Sequence, residues 1–247
     1  MVFRQLYDGE SSTYTYLLGH TGSKKALLID PVLEQVERDT SVLRELGLDL
    51  AFAVNTHVHA DHITGSGLLK KTFPSCKSVL GRAGNEQAMA DLKLGEGEVL
   101  KLDGGIELEF RSTPGHTNGC HSFVWHGGRS VFTGDTVLIR GCGRTDFQQG
   151  NPVSLYNAVW SKIFTLPEDY LLYPAHDYKG RTVSTVGEEK QFNPRLTQTQ
   201  EKFVDIMKNL NLPYPKKIDA SLPANLVCGL HELLPAPELP DTKKQKL

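Results

Sequence analysis

Cysteine is scarce in this chain. Its four thiols, Cys76, Cys120, Cys142 and Cys228, are spread over 247 residues, and none sits in a C-x-x-C pair. That argues against a zinc ribbon or a disulfide scaffold and fits a reducing compartment. Net charge is nearly absent too: 27 Lys and Arg against 29 Asp and Glu leave a formal charge of -2. No strong field therefore recruits nucleic acid or an anionic membrane. No apolar run approaches the roughly 20 residues that a spanning helix needs. The segment Met1-Val2-Phe3-Arg4-Gln5-Leu6-Tyr7 has neither the apolar stretch of a signal peptide nor the Arg/Ser richness of a transit peptide. A cytosol is the simplest reading; a mitochondrial matrix, after removal of a presequence, is the alternative. What remains, 39% hydrophobic and 23% charged, is ordinary globular composition, long enough to bury a substantial core.

Against that plain background one segment stands out. Thr56-His57-Val58-His59-Ala60-Asp61-His62 places three imidazoles and a carboxylate within six residues. It follows the apolar run Leu50-Ala51-Phe52-Ala53-Val54. Capping could use Thr56 or Asp61, but capping has no use for three imidazoles. A transition metal has, since neutral imidazole suits zinc, iron and copper, and a carboxylate adds charge.

Periodicity places this segment at a strand end. Residues 14–18 and 25–29 read as strands, residues 32–46 as a helix stopped by Gly47, 50–54 as a buried strand and 63–72 as a short helix. Residues 106–111 alternate apolar and charged, and 121–125 with 130–132 flank Gly127-Gly128 as a hairpin. A helix is expected from residue 153, a strand over 170–173, and helices near 183–190 and 197–210. No repeat or linker is visible. The reading is one α/β domain with mixed sheets over 1–234 and a flexible, Pro- and Lys-rich tail over 235–247.

Four other places carry a ligand-type residue just past an apolar run, beside Gly or Pro. They are Thr113-Pro114-Gly115-His116, Thr133-Gly134-Asp135, Pro174-Ala175-His176-Asp177 and Gly141-Cys142-Gly143-Arg144-Thr145-Asp146. Loops held by a rigid sheet are where functional groups concentrate. If these ends share one edge, His57, His59, Asp61, His62, His116, Asp135 and His176 converge. Plainer roles stand beside this one. Asp30 before Pro31 reads as a turn residue, Cys142 as a buried filler, and Asp177 as an orienting or turn-capping group. His20, His126 and His231 read as surface residues and His121 as structural. Spacing alone predicts two zinc ions sharing a hydroxide, with Asp135 bridging and the other six ligand-type residues divided between them.

The series H-x-H-x-D-H followed by separate His, Asp and His resembles the metallo-β-lactamase superfamily. The resemblance implies an αβ/βα sandwich, two mixed β-sheets flanked by helices, with the metal site at one edge. Gly134-Asp135-Thr136 and the Gly141 to Arg144 loop are similar to those of two relatives, glyoxalase II and the persulfide dioxygenases of the ethylmalonic-encephalopathy protein family. The finer residues resemble the dioxygenases: Ile63-Thr64-Gly65-Ser66-Gly67 in place of a Gly-Gly-Asn run, Thr145-Asp146-Phe147-Gln148-Gln149-Gly150, Asn193-Pro194-Arg195-Leu196-Thr197 and Pro223-Ala224-Asn225. Too little chain follows His176 for the additional glutathione-binding domain of glyoxalase II.

That resemblance implies an enzyme, a mononuclear non-haem sulfur dioxygenase with one Fe(II) per chain. Its ligands and catalytic centre would be His57, His116 and Asp135. His59, Asp61, His62 and His176 would lie behind them as orienting groups, or serve as ligands of a second metal. Glutathione persulfide, dioxygen and water would give sulfite and glutathione, as in sulfide catabolism. Glutathione brings two carboxylates, so Arg140, Arg144 and Arg195 are the candidate partners, with Tyr178 beside the iron. For Arg144 an ion pair with Asp146 is an equal alternative. The rival function is a dinuclear zinc hydroxyacylglutathione hydrolase of glyoxalase II type. A nuclease, also found in the superfamily, fits poorly with a charge of -2. No nucleic-acid or membrane partner is expected, and a homodimer is left open.

Overall fold

The computed structural model describes residues 1–230 and Glu232. The expected domain end at 234, the tail over 235–247 and His231 lie outside the described residues. In chain order the elements are β1 (Val2–Tyr7), β2 (Tyr14–His20), β3 (Lys25–Ile29), α1 (Val36–Glu45), β4 (Asp49–Asn55), α2 (Ser66–Thr72), β5 (Lys77–Gly81), β6 (Leu92–Leu94), β7 (Val99–Leu102), β8 (Ile106–Ser112), β9 (His121–Trp125), β10 (Ser130–Gly134), α3 (Pro152–Ala158), β11 (Leu171–Pro174), β12 (Ser184–Thr185), α4 (Val186–Phe192), α5 (Gln200–Lys208) and α6 (Ile218–Leu226).

Strands β1 to β6 form one sheet in sequence order, and β12 to β7 form the other in reverse order. Both are mixed. In the first, β3, β4, β5 and β6 pair in parallel while β1 and β2 pair antiparallel. In the second only β10 and β11 run parallel. Alternation along the strands sorts the side chains between layers. Leu27 and Ile29 of β3 face the core between the sheets with Tyr16, Val54, Phe110, Phe123 and Phe132. Ala26 and Leu28 of the same strand face α1 and α2, against Val36, Leu43 and Leu69. On the far side, Val124, Val131 and Leu172 pack against Leu155, Val159, Ile163 and Phe203. The result is the expected αβ/βα sandwich.

Several boundaries differ from the periodicity reading for local reasons. The helix expected over 63–72 begins only at Ser66. Its first residues instead bond to the chain after β3: Leu33 donates to Ile63 O and Gly65 to Pro31 O. The helix expected from 32 opens as a 3-10 turn, Leu33–Gln35. The hairpin between β9 and β10 is not a two-residue turn but a 3-10 turn, His126–Gly128, closed by Arg129 in the left-handed region at φ 45°. Near 183, Ser184 and Thr185 pair with β11 before Thr185 accepts from Glu188 N and caps α4. Helix α3 starts where Asn151 accepts from Ser154 N, with Pro152 in its first turn, and then widens into a π-helical turn, Val159–Ile163. Among the described residues no helix is long and apolar enough to cross a membrane.

A carboxylate interrupts the apolar stripe of α1. Asp39 is fully buried beside Val36 and Leu43, and its Oδ2 has no hydrogen-bond partner among the described residues. Burial pushes its carboxyl up to about 6, although Arg38, bonded to Oδ1, pulls the other way. A carboxyl raised by folding stabilises the fold below its ordinary range, and that stability is lost as pH rises toward about 6. Asp39→Asn should therefore stabilise the protein more at pH 8 than at pH 5, by about 1 kcal/mol. Urea unfolding at the two pH values checks this; an equal effect at both would show that the carboxyl is not held neutral.

Candidate metal centre

Parallel pairing explains why the ligand-type residues meet. In the register of β3 and β4, Ile29 lies beside Val54, so the two chains leave the sheet side by side at Asp30 and Asn55. In the register of β10 and β11, Gly134 lies beside Pro174, so Asp135 and His176 emerge together. The sheets are tied at this edge where His121 N donates to Thr56 O. His116 arrives from the loop after β8, whose Gly115, at φ 144°, lies against the backbone of Leu155.

The seven residues fall into two clusters. His57, His116 and Asp135 each bring one ligand atom within 4.8 Å of the others, and so do His59, Asp61, His62 and His176. The rings of His57 and His59, one from each cluster, lie 4.0 Å apart between centroids. His57, His59, His62 and His176 are each 1% exposed.

Hydrogen bonds fix which nitrogen each ring offers. His59 Nε2 lies 2.9 Å from Asp30 Oδ1 and His62 Nδ1 lies 2.9 Å from Asp61 Oδ2, so each donates there. His57 Nδ1 lies 3.0 Å from Thr56 Oγ1, which itself donates to Asp30 Oδ2. The opposite atoms, His57 Nε2, His59 Nδ1 and His62 Nε2, are buried with no partner among the described residues. A bare, buried imidazole nitrogen is costly unless something electrophilic meets it. The donor set thus fits a metal ion in either cluster. His116 Nδ1 donates to Arg144 O at 2.7 Å, leaving Nε2 3.5 Å from Asp135 Oδ2. His176 differs: Nδ1 reaches Asp135 Oδ1 at 2.6 Å and Nε2 reaches Asp61 Oδ2 at 2.9 Å, so one ring spans both clusters.

The electrostatics follow from crowding. Burial, with His59 and His116 nearby, holds His57 well below the usual histidine range. Burial also disfavours the charged form of His176, but Asp135 and Asp61 outweigh it and hold that ring well above the usual range. Asp135 is buried, yet His176 and the other imidazoles keep its carboxyl far below the ordinary value.

The candidate substrate residues are placed unequally. Arg140 was expected to meet a carboxylate of the substrate; its guanidinium instead pairs with Glu188 and Glu189 and lies over the Phe192 ring. Arg144 makes the alternative ion pair, binding Asp146 through Nε at 2.6 Å and Nη2 at 2.7 Å. Its Nη1 also donates to Pro213 O. Arg195 is half-buried and donates to Cys142 O at 3.2 Å. Tyr178 is 71% exposed, with its ring parallel to that of His176 at 6.2 Å. Cys142 is buried against Met207, as a filler would be. Asp177 caps the turn to Arg181, accepting from Lys179 N and Arg181 N. His121 is fully buried and bonded to Gly119 O, in line with a structural role.

Sequence reasoning missed four supports. Asp30 is the main one. It is 1% exposed, in the left-handed region at φ 51°, and accepts from Thr56 N, Thr56 Oγ1 and His59 Nε2. Its position just past β3 is the same signal used for the other ligands, masked by the turn that Pro31 suggests. Thr13 sets its hydroxyl within 3.4 Å of His62, His176 and Asp61. Asn225 of α6 clamps the carbonyls of His59 and His62. Gly143 packs so closely that a Cβ would sit 2.6 Å from Asp135 O and 2.8 Å from His116 Cγ.

Comparison with known proteins gives consistent matches. The family model described as the metallo-beta-lactamase superfamily matches residues 8–176. The chain is 55% identical over 230 residues to "Persulfide dioxygenase ETHE1, mitochondrial" of Mus musculus, covering 93% of this chain and 89% of that one. It is 49% identical to the protein in the crystal structure of ETHE1 from Myxococcus xanthus, with a TM-score of 0.88, covering 93% of this chain and all of that one. Similarity to the hydroxyacylglutathione hydrolase GloC of Haemophilus influenzae is lower, 32% over 70% of this chain and 88% of that one.

Two substitutions test the supports. Asp30→Ala strips the buried His59 imidazole and the amide and hydroxyl of Thr56 of their acceptor, and should cost about 3–5 kcal/mol in urea unfolding. A loss under about 1 kcal/mol would show that Asp30 is only a turn residue. Gly143→Ala should lower metal content while circular dichroism keeps its native shape; full metal content would show that the loop gives way freely.

Proposed function

The chain belongs to the metallo-β-lactamase superfamily and, within it, to the persulfide dioxygenases, and from that premise we propose that it oxidises glutathione persulfide. With dioxygen and water the products are sulfite and glutathione. Both oxygen atoms of dioxygen and one of water end on the terminal sulfur, the sulfur–sulfur bond breaks, and of the three protons brought by the persulfide and water one goes to the glutathione thiolate and two are released with the sulfite dianion. The observation that carries this reading is the 55% identity to the Mus musculus persulfide dioxygenase, sustained over 93% of the chain.

We assign one Fe(II) per chain to His57, His116 and Asp135. Two imidazoles and a carboxylate would hold a ferrous ion and leave it able to take substrate and dioxygen. The neighbouring residues keep the three ligands in place. Thr56 and Asp30 orient His57, the Arg144 carbonyl orients His116, and His176 holds Asp135 Oδ1 while gripping Asp61 with its other nitrogen. That double grip supports reading the second cluster as a brace. His59 and His62 complete the brace through Asp30 and Asp61.

For the glutathione moiety we assign Arg195 and Tyr178, with Arg144 contributing through the loop it holds. Arg195 donates through Nη1 to the Cys142 carbonyl, and Tyr178 stands exposed beside His176. Arg140 is given to its two glutamates. The compartment we infer is a reducing one, cytosol or mitochondrial matrix. The Mus musculus relative is mitochondrial by name, and the four buried free thiols fit either place.

Elemental analysis of anaerobically purified protein tests the metal assignment. One iron per chain is expected, abolished by His57→Ala or Asp135→Ala and kept by His176→Ala with part of the rate lost. Two zinc ions, or loss of all metal from His176→Ala, would favour the hydrolase arrangement. Arg144→Ala should raise KM for glutathione persulfide, by about tenfold, more than it lowers iron content; unchanged kinetics would remove this loop from the substrate site.

A further inference from the structure

Behind the two clusters lies a cavity of about 20 Å³, lined by Asn55, His57, Val58, His59, Thr64, Ser78, Val79, Leu80, Met89, Ala90, Asn225 and Cys228. It exceeds the roughly 10–15 Å³ that one water-sized molecule needs. Two of its walls, His57 and His59, are ligand-type residues, one from each cluster. At the opposite side Met89 is 52% exposed and Ala90 half-buried, so the cavity spans from the centre toward the surface.

Apart from His57 and His59, whose bare nitrogens belong to the two clusters, the polar residues of the lining bond to other parts of the fold. Asn55 bonds Ser66 and Thr64, and Ser78 bonds Asp91. Asn225 accepts from Thr64 N and donates to the His59 and His62 carbonyls. The Cys228 thiol donates to Met89 O. Water needs two to four free polar partners to be held in such a space, and these groups offer few; the rest of the wall is Val58, Val79, Leu80, Met89 and Ala90. It is this lining, not the size, that suits a small apolar molecule.

We propose that this cavity is the holding site and entry route of dioxygen, delivering it to the centre from the side of β5 and α6 rather than from the side where Tyr178 stands exposed beside His176. The inference rests on the dioxygenase reading, since a hydrolase has no use for an apolar gas site. It also separates the two substrates in space, so that bound glutathione persulfide does not block its co-substrate.

The test has a structural and a kinetic arm. Crystals of the iron-loaded protein under xenon pressure should show one xenon atom between Val79, Met89 and Cys228. Ala90→Leu should exclude the xenon and raise KM for oxygen by about threefold or more. Iron content, KM for glutathione persulfide and kcat at saturating oxygen should stay as in the parent. Ordered water in the cavity, or an oxygen KM that stays put once xenon is excluded, overturns the proposal. If the parent takes up no oxygen at all, the dioxygenase reading fails, and the oxygen assignment falls with it even where xenon binds.

Discussion

The Asp30 carboxylate is the point on which the centre depends. It leaves the end of β3 and gathers the start of the ligand segment onto itself, taking the amide and hydroxyl of Thr56 and the Nε2–H of His59. Through Thr56 the same carboxylate reaches His57. A buried carboxylate with three donors is a strong and directional anchor, because charge-assisted bonds gain strength where water is excluded. The anchor has a backbone cost, visible in the left-handed conformation of a non-glycine residue. Such a conformation persists when surrounding contacts over-determine it, and Asp30 N to Val54 O and Thr15 Oγ1 to Asp30 O supply two of them.

Everything else at the edge is arranged around that anchor. Parallel pairing within each sheet delivers neighbouring strand ends together, and the aromatic and aliphatic core holds the two sheets in fixed relation. The two clusters are therefore not independent. His176 touches a carboxylate of each, and the His57 and His59 rings meet at a tilt across the divide. A scaffold able to hold two ions can hold one ion rigidly, with the second set of ligands bracing the first.

The two clusters of ligand-type residues were legible in the sequence because imidazoles and carboxylates past apolar runs have few other uses at that density. The αβ/βα arrangement followed from resemblance, and the central strands from their apolar runs. Strands β1, β5, β6 and β7 escaped notice for physical reasons. Val2–Tyr7 carries Arg4 and Gln5 at the edge of its sheet, and Leu92–Leu94 is only 3 residues long, too short to show a period. Asp30 was read as a turn residue because Pro31 explains it locally, while its true partners lie 26 and 29 residues away. Arg140 shows the converse error: a cation in a promising loop, already neutralised by glutamates 48 and 49 residues downstream. Side-chain satisfaction across the fold is not written in spacing.

The central claim is that this centre runs oxygen chemistry on a persulfide rather than hydrolysis of a thioester. Oxygen-electrode measurement of the iron-loaded protein with glutathione persulfide, with sulfite quantified in the same samples, addresses it most directly. One oxygen consumed per sulfite formed, with S-lactoylglutathione left intact, is the predicted result. Hydrolysis of the thioester without oxygen uptake would contradict the account.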